Sequence, residues 1–183
     1  MKRIAGTIAL AAVCALPLLC PPSLDAADYA HEVKAKKMSF AWTVNGDKLD
    51  VKLSADTTGW VAIGFNPADA MKGANYILGF VKDGKVTLSD DFGDSPTGHK
   101  PDDKLGGTED VTLVGGSEEN GATTIEFSIP LASRDANDGS NIDVNGETVV
   151  LLAYGPDRDS FKIKHKFRTA MKVNLATGAA SEE

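Results

Sequence analysis

The sequence predicts an all-β sandwich, and three observations carry that reading. Short runs of strand-forming residues recur along the chain, separated by Gly and Asn turn signals. No stretch beyond the first 26 residues shows a sustained helical period. The 183 residues are enough for one ordinary hydrophobic core, and neither an internal repeat nor an interdomain linker divides them.

The chain opens with a leader. Met1-Lys2-Arg3 is a positive start, Ile4 to Leu19 is apolar, and Ser23-Leu24-Asp25-Ala26-Ala27 ends in small residues. That order reads as a secretory signal over residues 1–26, with cleavage after Ala26 or Ala27. The apolar run is shorter than the roughly 20 residues that span a bilayer, and Pro17 interrupts it. The expected product is one domain over residues 27–183, periplasmic or otherwise secreted, with no integral membrane segment.

The strands follow in order. Met38 to Val44 leads through Asn45-Gly46, a hairpin signal, into the alternation of Leu49, Val51 and Leu53 with Lys48, Asp50 and Lys52. Trp60 to Phe65 is continuously apolar, as a strand buried on both faces would be. Tyr76 to Val81 turns at Asp83-Gly84 into Lys85 to Leu88, a second hairpin. Val111–Val114, Ile125–Ile129, Thr148–Tyr154, Phe161–Phe167 and Met171–Leu175 complete the series. Asp90 to Gly107, with His99, and Ala132 to Asn145 read as long polar loops. Acidic loops can hold calcium, but Asp135-Ala136-Asn137-Asp138-Gly139 departs from the EF-hand pattern, so a solvated loop is expected there.

Composition excludes several chemistries. The only cysteines, Cys14 and Cys20, lie in the leader. The expected domain therefore has no disulfide, thiolate metal site, Cys nucleophile or covalent haem attachment. A formal net charge of −7 argues against nucleic acid as a partner. No G-x-S-x-G elbow, phosphate loop or H-E-x-x-H spacing is present.

Two segments stand out. With strand alternation, Phe161, Ile163, His165 and Phe167 share one face, while Lys162, Lys164, Lys166 and Arg168 share the other. A histidine is thus aimed inward behind a cationic stripe. Alone, such a histidine is more often a hydrogen-bonded core residue, and the stripe is equally a charged edge or a docking patch for an acidic partner. The other segment, Gly59 to Asn75, is a buried strand ending at Asn66-Pro67. It is followed by Met71 before Gly73-Ala74. Met71 alone reads as gap-filling core.

Together the Gly-Trp-x-Ala-x-Gly-Phe run, the Met-x-Gly-Ala run and the His-x-x-Arg run before Val173-Asn174-Leu175 resemble a DOMON domain over about Met38 to Leu175. The resemblance implies an immunoglobulin-like β-sandwich. In the haem-binding members, which include the cytochrome domain of cellobiose dehydrogenase, one Met and one His ligate the iron. The matching residues are Met71 and His165. Family members often carry Gly after that His, where this chain has Lys166.

The resemblance implies an exported b-type cytochrome that holds one non-covalent haem b and moves single electrons, and is not itself an enzyme. Met71 and His165 are the expected metal ligands. Trp60, Phe65, Phe161 and Phe167 are the expected lining, and Arg168 a partner for a propionate. A redox protein would dock at Lys162, Lys164, Lys166 and Arg168. The alternative is a carbohydrate- or small-ligand-binding module without haem, in which Trp42, Trp60 or Tyr154 would form an aromatic platform.

Overall fold

The computed structural model describes residues 29–183, and the leader expected over residues 1–26 lies outside them. The strands are β1 (His31–Ala35), β2 (Met38–Asn45), β3 (Lys48–Ala55), β4 (Val61–Phe65), β5 (Asn75–Lys82) and β6 (Lys85–Ser95). There follow β7 (Gly98–Pro101), the single-turn helix α1 (Asp102–Leu105), β8 (Thr112–Glu119) and β9 (Ala122–Pro130). The last are β10 (Thr148–Tyr154), β11 (Phe167–Val173) and β12 (Ala180–Glu182). They form two antiparallel sheets, ordered β1-β2-β3-β9-β8 and β12-β11-β10-β4-β5-β6-β7.

Alternation explains the sandwich. In β3, Leu49, Val51, Leu53 and Ala55 are buried while the residues between them are half-buried. They meet Val61, Ile63 and Phe65 of β4 and Val150, Leu152 and Tyr154 of β10 in one core. Trp42 is fully buried there, its Nε1 donating to the Leu175 carbonyl at 2.8 Å, so its one polar atom is satisfied. Both expected hairpins form, with Gly46 at φ 62 and Gly84 at φ 73, in the left-handed region their turns require.

Every residue of β4 is buried, because both faces of its sheet are covered. The outward residues Ala62 and Leu78 join Trp60, Ala74 and Tyr76 in a second, smaller cluster.

Three expectations differ from the structure. Phe161 to Lys166 is not a strand, and β11 begins only at Phe167. The Lys166 amide still donates to the Tyr154 carbonyl at 2.8 Å, so the segment joins the edge of β10 without continuing its ladder. Asp90 to Gly107 is not a free loop: it completes β6 and contains β7 and α1. The acidic loops are not plainly solvated either, since Asp90, Asp102 and Asp138 are buried.

Candidate functional site

The outward face of the seven-stranded sheet carries a cavity of about 350 Å³, within the range of small-ligand pockets. Its floor comes from sheet register. Leu78, Ala62, Ala153 and Arg168 stand in one cross-strand row; Tyr76, Gly64, Leu151 and Ala170 stand in the next. Ala62 and Ala153 at the centre of the first row, and Ala170 beside Leu151 in the second, keep the floor low. At Gly64 a Cβ would collide with the Tyr76 ring, so glycine lets that ring lie across β4.

Met71 and His165 both line this cavity, although 94 positions separate them. Met71 sits in the connection from β4 to β5, and β6 holds that connection in place. The β6–β7 register shifts between Phe92 and Ser95, a bulge that frees Gly93 to bond elsewhere. Gly73 donates to the Gly93 carbonyl at 2.8 Å, and Gly93 donates to the Ala74 carbonyl at 2.9 Å. A Cβ on Gly93 would collide with the Met71 carbonyl, so glycine is required for the approach. Ala70, just before Met71, has φ 52, a strained value for alanine.

His165 is positioned by Trp60. The Trp60 indole Nε1 donates to the Ile163 carbonyl at 3.1 Å, tying down the segment from Phe161 to Lys166. Phe161 packs on Phe80 with ring centroids 4.9 Å apart, anchoring the same segment at its start. Burial holds the His165 imidazole below its ordinary pKa, and Arg168 and Lys164 lower it further. At neutral pH the ring is therefore uncharged, the form that can donate a lone pair to a metal.

The structure brings together Met71, His165 and Arg168 as cavity residues. Trp60 and Phe161 lie in the apolar cluster of the same face, as supports of the His165 segment. Phe65 and Phe167 are corrections. Phe65 is 1 % exposed in the main core, its ring 6.3 Å from that of Phe40. Phe167 packs against that same core and stacks on Tyr154 at 5.2 Å. Alternation puts both on the inward side of their strands. The aromatic platform is corrected too: Trp42, Trp60 and Tyr154 are all buried.

Tyr76 was not foreseen. It lines the cavity, its hydroxyl is buried without a hydrogen-bond partner, and burial raises its pKa. Its ring lies 5.4 Å from that of His99, whose Nδ1 is 2.6 Å from Asp91 Oδ2. Its place at the start of a hairpin strand is legible in the sequence, and the glycine that pairs with it, Gly64, is the local signal that the ring can lie flat.

A family model describing the DOMON domain matches residues 34–155, and the chain belongs to that family. Curated relatives include "DBH-like monooxygenase protein 1" of Homo sapiens, 32% identical over 107 residues, and that of Mus musculus, 33% identical over 117 residues. These alignments cover 58% and 63% of this chain but only 17% and 18% of the relatives. Among solved structures, the cytochrome b domain of pyranose dehydrogenase from Coprinopsis cinerea aligns with a TM-score of 0.61 at 14% identity. That alignment covers 77% of this chain and 78% of the other. The cytochrome domain of Myriococcum thermophilum cellobiose dehydrogenase aligns with a TM-score of 0.54 at 16% identity, covering 79% and 77%. At such identities the likeness is one of fold.

Proposed function

We propose that the chain is an exported b-type cytochrome, holding haem b between Met71 and His165 and exchanging single electrons with a partner protein. The observation that carries this reading is the convergence of a thioether and an uncharged imidazole, from two remote segments, on one cavity.

The residues fit the group. Ala62, Ala153 and Ala170 make a floor low enough for a flat macrocycle, with the Tyr76 ring over Gly64 beside it. Leu151 supplies apolar contact, and Arg168, exposed at one end of its row, is a cation for a propionate. The unpartnered Tyr76 hydroxyl is a donor facing a ligand-sized space. Haem supplies one-electron chemistry when bound, and ligation by both Met and His raises its potential.

The chain's own residues do the rest. The strapped connection around Gly93 fixes Met71, Trp60 fixes the segment bearing His165, and the apolar floor excludes water. Met71 and His165 would hold the iron through protein donors and leave no site for a substrate, so the chain itself would carry no turnover. Lys162, Lys164, Lys166 and Arg168 are all exposed beside His165, a cationic face for an acidic redox partner.

Titrating the purified protein with haemin tests the reading. One equivalent should bind and give a low-spin, six-coordinate spectrum, and acid-acetone should extract the haem. Failure to take up a stoichiometric amount would remove the cytochrome reading and leave a small-ligand module on the same fold.

A further inference from the structure

A second group of side chains lies away from the Met71 and His165 cavity. One carboxylate oxygen from each of Asp102, Asp135 and Asp138 falls within 4.8 Å of the others. They come from α1 and from the loop between β9 and β10. Proximity of acids alone says little, but burial says more. Asp102 is 0 % exposed, and neither of its carboxylate oxygens has a hydrogen-bond partner. Asp138 is 7 % exposed, with Oδ1 unpartnered.

The adjoining space repeats the pattern. Asn75, Asp90, Asp110 and Asp138 line a small cavity of about 10 Å³, room for roughly one water-sized sphere. Asp90 is 1 % exposed; its Oδ2 accepts from the Asp110 and Val111 amides, and its Oδ1 has no partner. Asn75 Oδ1 is likewise buried and unpartnered.

No compensating cation is at hand. Among the described residues, no Lys, Arg or His pairs with Asp90, Asp102, Asp135 or Asp138. Arg134 Nε instead approaches Asp110 Oδ1, at 3.9 Å. Isolated buried carboxylates are costly unless paired, protonated or bound to metal. Burial and the surrounding acids push Asp102 up to about 8 and Asp90 up to about 7, the response of acids that lack a counter-charge.

We propose that Asp102, Asp135 and Asp138, with Asp90 and Asn75 beside them, form a calcium site that ties α1 and the β9–β10 loop to the start of β5. The donors are all hard oxygens, which suit calcium over zinc or copper. Calcium accepts six to eight such ligands in irregular geometry, whereas magnesium demands a near-ideal octahedron and keeps several waters. Carboxylates that converge from α1 and the β9–β10 loop, with Asp90 of β6 and Asn75 of β5 next to Asp138, suit the former. The site is independent of haem.

The test uses purified protein stripped with EDTA and desalted, then titrated with calcium by calorimetry and by thermal melting, without haemin. Calcium should bind and raise the Tm by roughly 5–10 °C when present at about a hundred times its Kd. Asp102→Asn should lose most of that rise and bind more than about tenfold more weakly, because affinity follows ligand charge. In EDTA the same variant should melt no lower than the unmodified protein, since Asn replaces an unpaired buried carboxyl whose ionised form is already disfavoured there. Asp103→Asn, at the exposed neighbour, is the control and should respond like the unmodified protein. No calcium-dependent heat or Tm change at millimolar calcium would overturn the proposal whatever the variants do. So would equal responses from all three proteins, and an equal response to magnesium would overturn the choice of calcium.

Discussion

The two faces of the seven-stranded sheet share every strand yet are built from different residues. Inward stand Val61, Ile63, Phe65, Val150, Leu152 and Tyr154, large and interlocked with the other sheet. Outward, on the same two strands, stand Ala62, Gly64, Leu151 and Ala153, mostly small. The inward set fills space and the outward set leaves it. A strand buried on both faces can thus be core on one side and cavity floor on the other, and residue size distinguishes them better than hydrophobicity does.

Four experiments press on that difference. The largest effect on stability is expected from Phe65→Ala, which opens a cavity in the main core and should cost about 3–5 kcal/mol in denaturant unfolding. Any protein that remains folded should still bind haemin with an unaltered spectrum; a changed spectrum would mean that the two faces are not separate. His165→Ala should abolish most haem uptake with a far smaller stability loss, because the residue is only half-buried. His99→Ala should retain haem, and equal loss from both would remove His165 from the role of ligand. Met71→Ala should keep haem but turn the spectrum toward high spin and lower the potential; no change in either would return Met71 to packing. The smallest effect belongs to Tyr76→Phe, which removes a buried unpartnered hydroxyl. It should leave stability unchanged or raised by up to about 1 kcal/mol, and a clear loss would reveal a partner for that hydroxyl.

The acidic cluster makes a prediction of opposite sign to ordinary acid denaturation. Asp90 and Asp102 have folded-state pKa values of about 7 and about 8, raised above those of an unfolded chain. Between roughly pH 4 and 8 the folded protein therefore binds more protons, and its stability falls as pH rises. Melting curves of EDTA-treated protein should show a lower Tm at pH 8 than at pH 6. A flat or rising profile through that window would mean that other groups dominate.

Much of this was legible in the sequence. The alternation of β3, the Asn45-Gly46 and Asp83-Gly84 hairpins and the doubly buried β4 follow from local patterns that tertiary packing did not override. Met71 and His165 were found by resemblance, and the fold places them at one cavity. What stayed hidden was which side of each strand faces the other sheet. Alternation sorts Phe65 from Gly64 but assigns neither set to a face, so Phe65 and Phe167 were expected on the wrong one. The Phe161 to Lys166 segment alternates in burial without being a strand, because Trp60 and the edge of β10 hold it rather than a ladder. Asp102 looked like one acid among many; its burial depends on loops distant in sequence, which no local pattern encodes.

The cavity floor is the back of a sheet whose other side already closes the main core. The interior is therefore complete before anything enters the cavity, and emptying the cavity leaves that interior intact. Closing the interior and occupying the cavity are thus separable: the sandwich can be complete while the cavity on its outer face is still open.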